Sequence, residues 1–219
     1  MWENGTWRPV SGTRDVQLWP LIRKPSILCS NAYLISAPNQ IVILDPGADA
    51  RQVEEIRRAL ASLPEASDRP VFVYLSHCHI DHLLALPALL EAPVGGRLLC
   101  HQRGARALRE RDPVLTVADL HALDVPDCPV WAGLFEPDEP APGAFRRFHP
   151  FEEVFHTGRV DLADGRSAST LRVALGEQDR MEVFHTPGHS PDGISIHVGR
   201  LLFVRSEEHT SELQSLLII

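Results

Sequence analysis

A layered α/β fold is what this sequence predicts, and three observations predict it. Strand-like and helix-like segments alternate along the first half of the chain, as in layered α/β folds. One segment, Val71-Phe72-Val73-Tyr74-Leu75, is apolar without interruption, which suits a strand buried on both faces. Just before it, residues 49–63 carry apolar side chains at helical spacing. Periodicity gives the class and leaves the particular architecture open.

The elements follow in order. Residues 16–21 and 32–35 read as short strands, and Pro38-Asn39-Gln40 as the turn that returns the chain into a strand over 41–44. In the helix at 49–63, Asp49 is the cap with Gln52 three residues on, and Val53, Ile56, Leu60 and Leu63 form the apolar stripe. Glu54 and Arg58 lie one turn apart on its solvated face, and Pro64 stops it. After the apolar strand a further helix is expected to about Leu90, with Pro87 tolerated only near a first turn or at a kink. Residues 98–100 read as a strand and 102–111 as a helix.

From Asp124 to Pro150 six prolines and the acidic Glu136, Asp138 and Glu139 argue against regular structure. That stretch reads first as a surface insertion. Its other reading is a lid or wall over a cleft, with Trp131, Phe135, Phe145 and Phe148 as substrate contacts. Strands return at 181–184, 194–198 and 201–204.

Composition bounds the partners. A chain of 219 residues that is 44% hydrophobic suits one domain with a sizeable core. Its formal charge of −8 argues weakly against a nucleic-acid partner, and a small-molecule substrate is the expectation that goes with the family resemblance given below. No apolar run is long enough to span a bilayer and no signal segment opens the chain, so a cytoplasmic protein is expected. Cys29, Cys78, Cys100 and Cys128 are scattered without a CxxC pair, and no disulfide scaffold is expected. The oligomeric state is left open.

The densest chemistry is His77-Cys78-His79-Ile80-Asp81-His82, in the loop after the apolar strand. Imidazole nitrogen and carboxylate oxygen are the ligands of zinc-like ions. His77 and His79 alternate, so in an extended segment they point the same way and can grip one ion. Asp81 and His82 follow where the chain turns and could hold a second ion. Cys78 points opposite its neighbours and is expected to be packed.

The spacing His77-x-His79-x-Asp81-His82 resembles the signature of the metallo-β-lactamase superfamily. Two other segments resemble that family in order and spacing. Ile41-Val42-Ile43-Leu44-Asp45-Pro46-Gly47 is similar to its early strand, which ends in an Asp and a glycine turn. His185-Thr186-Pro187-Gly188-His189-Ser190-Pro191-Asp192-Gly193 is similar to its third motif. Leu83 and Leu84 depart from the small residues common after the last histidine. The resemblance spans roughly residues 17–204.

It implies an αββα sandwich with metals at the edge between two sheets. His77, His79 and His189 would bind one zinc, while Asp81, which is also the catalytic candidate, and His82 would contribute to a second. Asp45 would orient the metal loop by hydrogen bonds, although on the sequence alone it reads almost equally well as a plain turn residue. His185 is read as structural, and His101, His121, His149, His156 and His197 receive no role. The implied activity is a metal-dependent hydrolase, with metal-bound hydroxide attacking an ester, thioester or lactone-like carbonyl. Two alternatives are a mononuclear iron oxygenase using His77, His79 and His189, and a non-catalytic metal-binding fragment.

The end of the chain is expected to be foreign. Residues 205–215, Arg-Ser-Glu-Glu-His-Thr-Ser-Glu-Leu-Gln-Ser, resemble a translated sequencing-library adapter rather than a natural polar helix. The resemblance also implies Gly-Asp after Val204, the Asp bridging two metals, where Arg205 and Ser206 stand. The expected organisation is therefore a C-terminally truncated domain over residues 1–204, with a non-native tail at 205–219. One weakly bound ion at most and little hydrolysis are expected of it.

Overall fold

Burial along the strands decides where the helices go. The computed structural model describes residues 4–23, 28, 30–64, 68–135, 156–161, 167–204 and 216–218. In the first sheet, β3 (Ala32–Ala37), β4 (Gln40–Leu44) and β5 (Val71–Tyr74) are buried at every residue. Such strands need a layer on both faces. In the second sheet, β9 (Ser167–Ala174) and β10 (Arg180–His185) mix buried with half-buried or exposed positions, as strands covered on one face do.

Among the described residues the first sheet has seven strands in the order β1 to β7, with β1 (Arg8–Pro9) and β2 (Gln17–Leu21) at one edge. β1 to β4 pair antiparallel, whereas β4, β5, β6 (Arg97–His101) and β7 (Val130–Leu134) are parallel. Parallel neighbours need crossovers. These contain α1 (Ala50–Ala61), then α2 (Ile80–Leu83) and α3 (Leu86–Leu90), and then α4 (Gln102–Glu110). Val53, Ile56, Leu83, Leu86, Leu89 and Leu108 of these helices pack on Ile41, Ile43, Val73 and Leu98. On the opposite face, Leu18, Tyr33, Ile35, Val42, Phe72 and Leu99 meet Val173, Met181, Val183, Ile196 and Val198 of the second sheet.

The second sheet is antiparallel and has six strands among the described residues. It comprises β8 (His156–Asp161), β9, β10, β11 (Ile194–Val198), β12 (Leu201–Phe203) and β13 (Leu216–Ile218). Its outer face carries a polar ladder, Arg172–Glu182 at 2.9 Å and Glu182–His197 at 3.2 Å. Among the described residues the helices all belong to the first-sheet side, so three layers of the sandwich are described here.

Local signals account for most elements. The Asp49 side chain accepts from the Gln52 N–H at 2.8 Å, the cap expected for α1. The helix after the metal loop is split in two: Pro87 is the second residue of α3, where its missing N–H costs nothing, and it could not continue a helix from α2. The proline-rich stretch needs a correction. Residues 130–134 form β7, with Ala132 and Leu134 buried, and Pro126 and Pro129 precede the strand, where no ladder donor is lost. Cys29, Phe145, Phe148 and the rest of 136–150 lie outside the described residues, as do 205–215.

The parallel strands end along one edge. Asp45 follows β4, the histidine loop follows β5, His101 closes β6 and Phe135 follows β7. Ligand sites of open α/β sheets form outside the carboxyl ends of strands.

Candidate metal centre

The histidine loop is pinned from several sides. Ser76 N–H donates to Asp45 Oδ1 at 2.7 Å and Cys78 N–H to Asp192 Oδ2 at 2.9 Å. Ile80 N–H donates to the Thr116 carbonyl at 2.8 Å, and the Ser76 carbonyl accepts from Ile194 N–H at 2.7 Å. The side chains are thereby aimed before any ligand arrives. Cys78 is fully buried, as its alternation with the two histidines requires.

His77, His79 and His189 converge. Ring centroids are 4.3 Å apart for His77 and His79, 4.6 Å for His79 and His189, and 5.2 Å for His77 and His189. One nitrogen from each ring lies within 4.8 Å of the other two. His189 Nε2 and His79 Nδ1 face each other at 3.1 Å. Two nitrogens on a tetrahedral zinc stand roughly 3.3 Å apart, from bonds of about 2.0–2.1 Å. The cluster therefore fits one ion with a small contraction. Ser76 Oγ lies 3.0 Å from His77 Nδ1, a contact that fixes the orientation of that ring.

Asp81 and His82 occupy the second and third residues of α2. His82 Nε2 is 3.3 Å from Asp81 Oδ2, and His82 Nδ1 is 3.1 Å from Asp45 Oδ1, off the line of a hydrogen bond. The imidazole is thus held between two carboxylates. Burial alone would depress its pKa, but Asp45 and Asp81 outweigh burial and raise it well above the ordinary histidine value. Burial likewise works to raise the Asp81 carboxyl, and His82 and His79 overcome it and hold it low. Among the described residues, Asp81 and His82 are not part of a group of three mutually close ligand atoms, although the His77 ring lies 4.3 Å from that of His82. A cleft beside them is lined by Ser30, Asn31, Asp45, His82, Phe203 and Val204.

Asp45 directly follows β4. Its backbone has φ +48°, a left-handed conformation that costs a non-glycine residue on the order of 1 kcal/mol. That turn brings its carboxylate to both Ser76 and His82. Gly47 follows at φ +86°, and a Cβ there would fall onto the Gln52 carboxamide.

The residue that sequence reasoning passed over is Asp192. It is fully buried and accepts from Cys78 N–H and from the Ser190 hydroxyl. It therefore locks the loop of His189 to the loop of His77 and His79. Gly104 makes room for it, because a Cβ there would lie 2.6 Å from Asp192 Oδ2 and would press on Cys78 Sγ. In the sequence, Ser190-Pro191-Asp192-Gly193 looks like an ordinary turn, and only the tertiary contact shows its second role. Of the proposed lid aromatics, Trp131 packs on Phe72 at 5.7 Å, whereas Phe135 reaches the edge of the site beside His101 and His185.

Comparison with known proteins bears on the family and the fold. The sequence profile of the metallo-β-lactamase superfamily matches residues 29–204, and the chain belongs to that superfamily. No curated protein sequence matches it. Among solved structures, a motif-mutant metallo-β-lactamase from Cronobacter sakazakii is 19% identical with a TM-score of 0.50, covering 85% of this chain and 56% of that one. The MIM-2 metallo-β-lactamase is 20% identical with a TM-score of 0.52, covering 92% and 58%. A metal-soaked Flv1 flavodiiron core from Synechocystis sp. is 16% identical with a TM-score of 0.53, covering 92% and 41%. The chain thus spans little more than half the length of the two lactamases. These likenesses establish the fold. Among the described residues, no helix is long and apolar enough to cross a membrane.

Proposed function

We propose that this chain carries the metal site of a hydrolase acting on an ester, thioester or lactone-like carbonyl. The observation that carries the proposal is the convergence of His77, His79 and His189, three nitrogens within 4.8 Å held by two interlocked loops. A divalent ion held there would polarise an acyl oxygen and acidify a water to a pKa of about 7. His77, His79 and His189 would bind the ion, and Asp192 would keep the two loops in register. Asp81, held ionised by its neighbours, would accept a proton from the attacking water or add a ligand together with His82. Asp45 would fix His82 and the start of the loop. In this reading the substrate is a small molecule in a cytoplasmic setting, which the acidic composition and the free, buried Cys78, Cys100 and Cys128 support.

The test is metal content together with turnover. The chain is loaded with zinc or with ferrous iron, metal per chain is measured, and hydrolysis is followed on esters, thioesters, lactones, RNA and DNA. Binding of one zinc, with at most slow hydrolysis of one carbonyl class that a chelator abolishes, is the expected result. Iron with oxygen consumption would replace this reading by an oxygenase on the same three histidines. Binding of neither metal would overturn both.

A further inference from the structure

Three side chains that the metal chemistry leaves unused meet beside it. His101 ends β6, Phe135 follows β7 and His185 ends β10, so both sheets contribute. The His101 and His185 rings stack with centroids 4.1 Å apart and planes 26° from parallel, and Phe135 lies 5.8 Å from each. His185 is four residues before His189 on the same chain segment. The Asp192 carboxylate that anchors Cys78 also acts on His101.

His101 is only 2% exposed. Burial, His185 and Arg103 together outweigh Asp192 and lower its imidazole to about 4, so the ring is neutral at ordinary pH. Its Nδ1 accepts from the Arg103 N–H at 3.1 Å. A neutral imidazole that accepts on Nδ1 carries its proton on Nε2. Among the described residues that Nε2–H meets no acceptor, and it is not one of the sealed polar atoms that lack a partner, so a ligand atom can reach it. His185 does not serve, because it presents its ring face to His101, while its own Nε2 donates to the Pro191 carbonyl at 3.2 Å.

The backing of this donor is also unusual. Phe135 has φ +65°, a conformation bulky residues rarely take, and its carbonyl accepts from Gln102 Nε2 at 2.8 Å. Strained backbone of this kind clusters at ligand sites. His101 is at the same time the N-cap of the nine-residue α4, whose start favours negative charge.

We propose that His101 Nε2–H, backed by His185 and Phe135, is a substrate-binding donor that takes an acceptor oxygen, carbonyl or carboxylate, of the acyl compound held at the three-histidine centre. This rests on the carbonyl-hydrolase reading above for what enters the cleft. Capping and stacking fix the donor in advance, so little ordering is left for the ligand to impose.

The test uses the full chain, acetate as the probe, and the variants His101→Gln and His101→Phe. Gln keeps a donor at similar reach, while Phe keeps the flat ring without one. In the cobalt-loaded proteins, acetate binding is read from the visible spectrum and cobalt per chain is measured alongside. The expected result is equal cobalt content, acetate affinity within about threefold of wild type for His101→Gln, and about tenfold weaker affinity for His101→Phe, the size of one hydrogen bond to a charged group. Equal acetate affinity in wild type and His101→Phe overturns the proposal, as does an equal loss in both variants. Failure of the wild-type chain to bind cobalt would instead sink the hydrolase reading. The donor is then read from the His101 side-chain ¹⁵N signals of the metal-free chain: movement of Nε2 on adding acetate supports it, and no movement overturns it.

Discussion

The two halves of the centre are assembled differently. His77, His79 and His189 come from two loops more than 100 residues apart, and one nitrogen from each ring faces the other two. Asp81 and His82 are adjacent in one short helix, and with Asp45 they already satisfy much of one another's charge. The first arrangement gathers three imidazole nitrogens around one point where an ion would sit. The second is largely neutralised as it stands, so an ion there must compete with an existing imidazole–carboxylate pairing. The comparison teaches that the three-histidine half should bind metal first, and that its affinity depends on distant residues which hold the loops together.

Breaking the first half should have the largest effect. His77→Ala or His189→Ala is expected to weaken zinc binding by more than the roughly 10–100-fold typical of losing an outer partner, measured by equilibrium dialysis. Next comes the lock between the loops. Asp192→Ala leaves the buried Cys78 N–H and Ser190 hydroxyl without their acceptor and should cost about 3 kcal/mol in denaturant unfolding, with a weaker metal site as well. Gly104→Ala forces a Cβ against Asp192 and Cys78 and should cost about 1–3 kcal/mol by the same measurement. The smallest effect sharpens the contrast. Asp45→Asn loosens His82 and the loop start, and should change zinc affinity at the three histidines by about tenfold or less, read by competition with a chromophoric chelator.

Much of this was legible in the sequence because the chemistry is local. His77, His79, Asp81 and His82 lie within six residues, and residues 71–75 announce a buried strand by composition alone. His189 and Asp45 became visible through motifs that resemble a known family. The remainder depends on contacts no local pattern encodes. Asp192 and Gly104 matter because three segments meet at Cys78, and His101 matters because strand ends from two sheets bring it against His185. β7 was hidden by the surrounding prolines, since composition over 124–150 outweighed the short apolar run Val130-Trp131-Ala132. β9 was hidden by its mix of Ser, Thr and Ala, whose place in the sheet comes from pairing with β10.

The most direct test of the central claim is a zinc titration of the chain beside its His189→Ala and His82→Ala variants, followed by metal analysis. One ion per wild-type chain, lost in His189→Ala and retained in His82→Ala, is the predicted result. Zinc that survives His189→Ala but is lost in His82→Ala would contradict it and move the primary site to the carboxylate side.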